Sequence, residues 1–443
     1  MKILLLTHYY EPEIGAPQQR WSALVERFVR AGHQVSVIAP APHYPAGDLR
    51  PEHAGQRPGS IHAGRHGETV HRAAFRSYGT QVGSRFTDQV VAAASAMRLV
   101  TARFRGHRPD VVVATVPSLP MLAAGAAVSR SLGVPLVVEM RDAWPDLLDV
   151  ADEWTLTSPD DVPAPQAERG AAGEVFVTRP PLRPSAPVAR WHAGVRRGGT
   201  SLLHHVSTSL QRSSDAVVTT TESFAQTLRD RGVEPVHVVR NGAHPIAGWP
   251  GPLDATSPDD PLRVLYAGTL GRAQGLTTVV KAASIASRAG TRVEVRVVGA
   301  GAEEHLLREL ARRLGAPVDV RGAVPRAELV DHYAWADSVI VALRPWRGLS
   351  LTVPSKLYEA MSLGLHVSAS VTGEAAGIVQ QTQAGDVCRP GDEEALAALW
   401  AELAEDRSRV IVGPAAAEWV REHASDDRLA DDYLAVLDSV VRS

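Results

Sequence analysis

The feature that most constrains this chain is an alternation of short apolar runs with longer amphipathic ones, which starts at residue 2, breaks once, and restarts. Lys2 to Thr7 reads as a strand, a Gly/Pro loop follows, a helix runs from about Gln18 to Ala31 until Gly32 stops it, and Gln34 to Ile38 returns as a strand. The unit recurs in Asp110 to Thr115, Leu119 to Ser131 and Leu136 to Glu139, and continues with Ser214 to Thr219 and a helix from Glu222 to Asp230. Such alternation predicts an α/β fold, a parallel sheet covered on both faces. After Asn241-Gly242 a stretch rich in Pro, Gly and Asp, Pro245 to Pro261, interrupts the pattern. It restarts with strands Leu262 to Tyr266, Val293 to Val298, Val318 to Arg321 and Ser338 to Ala342, alternating with helices Leu276 to Arg288, Glu303 to Leu314 and Arg326 to Ala334. Long helices at about Glu393 to Glu405 and Ala415 to Ser443 complete it. A chain of 443 residues exceeds one hydrophobic core. The expectation is therefore two doubly wound domains, 1–244 and 245–415, with a final helix at 416–443 packing back on the first. Ligands of such sheets bind outside the carboxyl ends of the strands, which places the chemistry on the loops that follow them.

The totals narrow the partners. A 44% hydrophobic and 21% charged composition supports real cores, and a net charge of −3 argues against a nucleic-acid binder. Cys388 is the single cysteine, which fits a reducing, cytoplasmic compartment, and no targeting segment is expected because Met1 to Ala39 already reads as strand, helix and strand. Residues 111–128 carry no charge, but Pro117, Ser118 and Pro120 make strand, loop and helix a better reading than a membrane span. Residues 151–199 do not fit the alternation and read either as a lid on the acceptor side or as a dispensable insertion.

The most specific motif is Pro354-Ser355-Lys356-Leu357-Tyr358-Glu359, at the opening of a short helix. Lys356 would meet phosphate near the positive helix end while Glu359 accepts from ribose hydroxyls. Only Lys2, Lys281 and Lys356 are lysines among 46 basic residues, so a compact point charge is retained here in an Arg-biased chain. The alternative is a surface Lys-Glu pair at helical spacing. The loop from Gly268 to Gly275 follows the first strand of the second half; its glycines permit close approach and Arg272 offers a grip on phosphate, or else the loop is a structural turn. In the first half, the loop Tyr9 to Arg20 places Arg20 toward the cleft or on a solvated helix face, Asp142 in Glu139 to Asp146 either orients a hydroxyl or caps a turn, and His43-Tyr44-Pro45 points to the acceptor side or packs a turn. Gly299-Ala300-Gly301 resembles the start of a dinucleotide fingerprint, but Glu304 fills its third glycine position, so a tight strand-to-helix turn is expected instead. No sequence spacing indicates a metal; Asp160-Asp161 and Asp259-Asp260 sit in Pro-flanked turns. Ser84 to Arg105 reads as a helix that either docks on the sheet or rests on an anionic membrane.

With these pieces the chain resembles the family 4 retaining glycosyltransferases of GT-B fold, especially bacterial members similar to the colanic-acid and O-antigen fucosamine-type transferases. The carriers are Thr7-His8-Tyr9-Tyr10 with Gly15-Ala16-Pro17, Arg141 to Pro145, Asn241-Gly242, Gly268 to Gly275, and Pro354 to Glu359. The resemblance implies two Rossmann-like domains facing a cleft, a nucleotide-diphosphate sugar such as a UDP-sugar as donor, no cofactor or metal, and an acceptor that is a lipid-linked saccharide at the inner membrane face. It implies Lys356, Arg272 and Asp142 as catalytic residues, and Gly15, Gly268, Gly271, Gln274, Arg321, Val324, Ser355, Leu357 and Glu359 around the donor. Arg20 and His43 would lie on the acceptor side. Departures stand at Leu351, where relatives carry the first of two carboxylates, at Thr269 and Gln274, where they carry the phosphate-binding cations, and at Gly377. These departures keep two other readings open, a nucleotide-sugar 2-epimerase and a non-catalytic sugar-nucleotide-binding protein.

Overall fold

Val111–Val116 and Leu136–Met140 are buried at every residue. Strands so uniformly apolar belong in the middle of a sheet covered on both sides. The computed structural model of the protein describes residues 1–443 except 14, 45–46, 79–81, 145, 148–200, 245, 247, 252–256, 258 and 443. The excursion expected at 151–199 therefore lies outside the described residues. Among those described, the N-terminal half forms an eight-stranded sheet from β1 (Lys2–Leu6), β2 (Gln34–Pro40), β3 (Ile61–Ala63), β4 (Thr69–Ala73), β5 (Val111–Val116), β6 (Leu136–Met140), β7 (Ala216–Thr219) and β8 (Val236–Val238). Their spatial order is β3-β4-β2-β1-β5-β6-β7-β8, and only β3 runs antiparallel to its neighbour. The C-terminal half forms a six-stranded, wholly parallel sheet from β9 (Leu262–Ala267), β10 (Val293–Val298), β11 (Val318–Arg321), β12 (Ser338–Ala342), β13 (His366–Ser370) and β14 (Gly385–Cys388), in the order β11-β10-β9-β12-β13-β14.

Helices α1 (Ala16–Arg30), α2 (Val82–Arg103), α3 (Leu119–Leu132), α4 (residues 201–212) and α5 (Glu222–Asp230) cover the first sheet. The second carries α6 (Leu276–Arg288), α7 (Glu304–Leu314), α8 (Leu329–Trp335), α9 (Ser355–Ser362), α10 (Glu374–Thr382) and α11 (Glu393–Glu405). Local chemistry sets their ends: Pro120 sits in the first turn of α3 and Gly133 ends it at φ 63°, while the Thr221 and Asp392 side chains cap α5 and α11. The uncharged run 111–128 is thus strand, loop and helix. No helix among the described residues is long and apolar enough to cross a membrane.

The expected single C-terminal helix is two. The chain leaves helical geometry at Ala424, φ −141°, which separates α12 (Ala415–His423) from α13 (Asp426–Arg442). α12 stays on α9 and α10, whereas α13 crosses to α1 and the first sheet. There the Tyr433 ring, fully buried, meets Trp21 at 5.6 Å and Phe28 at 5.9 Å between centroids, a burial that contributes roughly 2 kcal/mol. α2 docks through Ala92, Ala93, Ala96 and Val100, leaving Phe86, Val90 and Met97 exposed.

The two halves touch directly. Thr221 Oγ1 donates to the Leu351 carbonyl at 2.7 Å, and the Ser223 amide to Glu374 at 2.8 Å. Leu147 packs where a Cβ on Gly348 would meet its Cδ2 at 2.9 Å. The loops that follow the carboxyl ends of β6, β9 and β12 meet in this region.

Candidate functional site

α9 opens on Pro354, with no side-chain cap and no acidic residue in its first turn. Its N-terminal N–H groups therefore present partial positive charge without a protein anion to satisfy it. The Leu357 amide is the exception, bonded to the Pro354 carbonyl at 3.0 Å, and the Leu357 side chain is buried in the core. Leu357 thus offers neither a side chain nor a spare amide to a ligand in this conformation, because the first turn closes on itself.

Lys356 lies against β9. Its Nζ donates to the Tyr266 hydroxyl at 2.6 Å and stands 4.2 Å from the centre of the Tyr266 ring. Burial pushes its pKa down to about 7, with the Glu359 carboxylate pulling the other way. Gly268 turns the chain beside it at φ 143°, a backbone region that favours glycine; a Cβ there would touch Lys356 Cε at 3.4 Å and Nζ at 3.5 Å in ordinary contact. Glu359, one turn along α9, accepts from Arg326 Nη2 at 3.1 Å and from the Tyr333 hydroxyl. Arg326 also donates to the His244 carbonyl at 2.6 Å, so the carboxylate is oriented before any ligand arrives.

The glycine loop after β9 continues beside them. Gly299 at φ 151° has its missing Cβ 1.8 Å from the Gly268 carbonyl oxygen, and a Cβ on Gly301 would fall 2.3 Å from the Leu270 oxygen. Gly299 and Gly301 let two backbones touch, which accounts for them without a dinucleotide. Gly271 precedes a 3₁₀ turn holding Arg272 and Gln274; Arg272 is exposed on the rim, its carbonyl taken by Arg344 Nε at 2.6 Å, and its charge acts on the buried Glu303. The Gln274 Oε1 is buried without a partner, 2.8 Å from where a Gly271 Cβ would be. Arg321 is exposed and bound to its neighbour Asp319 at 2.6 Å, while Val324 packs on the core. Ser355 faces the first half of the chain, in a recess with Arg20, Arg141 and Asn241.

The opposite wall corrects two expectations. Arg20 is not a free cleft cation: it is 2% exposed, its Nε bonded to Glu139 at 2.8 Å and its two Nη atoms to the carbonyls of Arg240 and Val239. Burial of both partners forces this pairing, since either charge alone would be costly. His43 does not face an acceptor either. It is 2% exposed, stacked on Phe75, with Nε2 3.0 Å from Asp88 and Nδ1 2.7 Å from the Ala41 carbonyl. His8 Nε2 reaches the same Asp88 oxygen at 3.1 Å. The Asp88 carboxylate raises the His43 pKa against the effect of burial, and the two imidazoles hold Asp88 low. Sequence spacing hid this His8–His43–Asp88 cluster, the one group among the described residues whose ligand atoms could hold a metal, all within 4.8 Å. Gly15 precedes α1, where a Cβ would press on Gln18 Oε1 at 2.5 Å. Asp142 follows β6 half-buried, its pKa raised by burial and lowered by Arg141. Tyr266, Arg326 and Tyr333 were not legible as site residues, because nothing local marks them.

Two family models match. Residues 15–242 fit the glycosyl transferase 4-like domain, and residues 261–406 fit the glycosyl transferases group 1. Among curated proteins none matches in sequence. Solved structures match over the whole length: sucrose-phosphate synthase from Thermosynechococcus elongatus at TM-score 0.70 and 16% identity, covering 100% of this chain and 99% of that one. HepE from Anabaena in complex with UDP matches at 0.61 and 17%, covering 99% and 100%, and WaaG, a glycosyltransferase involved in lipopolysaccharide biosynthesis, at 0.61 and 14%, covering 99% of each. Each likeness is one of fold, two Rossmann-like domains in the GT-B arrangement. With one model spanning half of the sequence and a second covering the other sheet, the chain belongs to the glycosyl transferase 4-like family of GT-B glycosyltransferases.

Proposed function

We propose that the protein moves a glycosyl group from a nucleotide-diphosphate sugar to an acceptor hydroxyl, with retained configuration, in the synthesis of a cell-surface polysaccharide or glycoconjugate. The observation that carries this reading is the convergence of Lys356, the uncapped end of α9 and the Gly268 turn on one spot, with an oriented Glu359 one turn away. A diphosphate suits that spot. The bond from the anomeric carbon to the diphosphate oxygen breaks, a bond to the acceptor oxygen forms, and the acceptor proton ends on the released diphosphate or on solvent. Charge grows on the leaving group as this happens, so fixed donors there lower the barrier. With its pKa near 7, Lys356 gains its proton when the anion arrives, because an opposite charge favours the ammonium.

Glu359 then receives the ribose hydroxyls, Arg272 on the rim adds positive charge near the phosphates, and Asp142 orients a sugar or acceptor hydroxyl. Gly15, Gly271, Gln274, Ser355 and the backbone around Arg321 and Val324 line the donor. Organic cations and helix N–H groups meet the leaving-group charge in this reading, so no metal is required for it. UDP bound to HepE supports a nucleotide-sugar donor, and the lipopolysaccharide role of WaaG supports a saccharide acceptor on a lipid. The exposed Phe86, Val90 and Met97 beside Arg85 and Arg98 on α2 support a peripheral contact with the cytoplasmic membrane face.

The test is a panel of nucleotide sugars screened for thermal stabilisation, followed by turnover on lipid-linked acceptors with the product anomer assigned by NMR. Stabilisation by one donor, with transfer abolished in Lys356→Ala, is the expected result. A free isomerised nucleotide sugar formed without acceptor would instead make the protein an epimerase.

A further inference from the structure

Two arginines stand at the recess between the sheets, and they differ in one respect. Arg20 has every guanidinium nitrogen engaged by Glu139 or by backbone carbonyls. Arg141, just past the carboxyl end of β6, is 8% exposed, yet among the described residues its Nε has no partner and its guanidinium makes one long hydrogen bond, Nη2 to Asn241 Oδ1 at 3.4 Å. A buried guanidinium so poorly satisfied is costly unless something else meets it. Across the recess stands Ser355, the first residue of α9, whose end carries no cap and no acid. An unfilled cation therefore faces an unfilled helix N-terminus from the opposite sheet. Glu139 and Asp142 both attract the Arg141 charge, but neither is hydrogen-bonded to it: Glu139 Oε1 is taken by Arg20, and burial pushes the Asp142 pKa up.

We propose that Arg141 binds a phosphoryl group held at the N-terminus of α9, so that one anion ties the first sheet to the second. The inference rests on the reading that a phosphate-bearing substrate occupies this cleft. Thr269 and Gln274 are uncharged in the glycine loop, whose one cation is Arg272 on the rim, and Arg141 supplies a further charge from the other half. The phosphoryl group belongs either to the donor diphosphate or to a phosphate on the acceptor. Both sources share the chemistry of tetrahedral phosphoryl oxyanions on a planar fork of N–H donors.

Calorimetric titration of the full-length protein with inorganic pyrophosphate and with UDP, GDP, ADP and CDP, before and after Arg141→Gln and Arg141→Lys, tests this. Arg141→Gln should weaken pyrophosphate about tenfold or more and Arg141→Lys only a few-fold, since a point charge replaces part of the fork. Melting temperatures identify any variant that does not fold; if Gln fails, the few-fold loss in Lys carries the test. Pyrophosphate displaced by a saturating nucleotide makes the phosphoryl group the donor's, and pyrophosphate still bound beside it makes it the acceptor's. Unchanged pyrophosphate affinity in the folded variants, or no binding of any probe to the wild type, overturns the proposal. Nucleotides that bind tightly regardless of Arg141 leave the glycosyltransfer reading standing and sink this one. Nucleotides that bind no better than pyrophosphate, with Arg141 still required, do the reverse.

Discussion

Replacing Lys356 by alanine separates ligand binding from folding more cleanly than any other change in the cleft. The ammonium would make charge-assisted hydrogen bonds to a diphosphate, each worth about 1.5–3 kcal/mol. By the relation of free energy to affinity, losing one raises Kd about 10- to 150-fold. Two facts temper this. With a pKa of about 7, only about half of the free protein carries the charge at pH 7, so protonation on binding consumes about 0.4 kcal/mol of the gain. And the side chain is half-buried, so solvent screens part of the attraction. A loss nearer tenfold is expected. The sign with pH follows: the ammonium is complete below pH 7, and affinity for nucleotide diphosphate falls as pH rises above 7, by up to about tenfold per unit until the pKa of the bound state is reached. Folding runs oppositely. The folded pKa lies below the ordinary lysine value of 10.5, so the unfolded chain binds the proton better between about pH 7 and 10.5 and the residue weighs against folding most below pH 7. Lys356→Ala should therefore leave the melting temperature at pH 7 unchanged or raised. Calorimetry in buffers of different ionisation enthalpy should show uptake of roughly half a proton per nucleotide at pH 7, absent in the variant. Affinity that is flat from pH 6 to 9 in the wild type, or equal in the two proteins, would refute the reasoning.

Gly299→Ala places a methyl 1.8 Å from the Gly268 oxygen in a backbone region foreign to L-residues, and should destabilise by more than about 3 kcal/mol in denaturant unfolding, or prevent soluble expression. Glu359→Gln removes the charge held by Arg326 and Tyr333; nucleoside diphosphate affinity should fall about tenfold while that for pyrophosphate holds, read by calorimetry. Arg20→Met leaves Glu139 buried and unpaired, and should cost about 3–5 kcal/mol of stability, whereas the double change Arg20→Met with Glu139→Leu should recover most of it.

Much of the fold was legible because its strands announce themselves. Helices Glu222–Asp230 and Leu276–Arg288 and strands Val293–Val298, Val318–Arg321 and Ser338–Ala342 occur at the residues that periodicity assigns. The strands that escaped are polar. β13 reads His-Val-Ser-Ala-Ser and is nonetheless fully buried, because Ser338, His366 and Ser368 satisfy one another at 2.8–2.9 Å. β4 contains Arg72, buried by bonds to the Pro40 and Glu11 carbonyls and to Gln56. Helix α10 escaped too, its apolar positions too sparse to stand out between these strands. In the candidate site, the juxtaposition of Lys356 and Glu359 was legible because helical spacing alone brings them together. Arg20 and His43 were misplaced because their partners, Glu139 and Asp88, lie far along the chain, and no local pattern tells a cleft-facing cation from one folded inward. Tyr266 stands next to the end of an ordinary apolar strand, and only the reach of Lys356 from α9 makes its hydroxyl a partner.

The most direct measurement is a crystal structure with the nucleotide diphosphate that most raises the melting temperature. The phosphates should lie within hydrogen-bond reach of Lys356 Nζ and the first-turn amides of α9, with the ribose on Glu359. Phosphates bound away from α9, with Lys356 still turned onto Tyr266, would contradict the account.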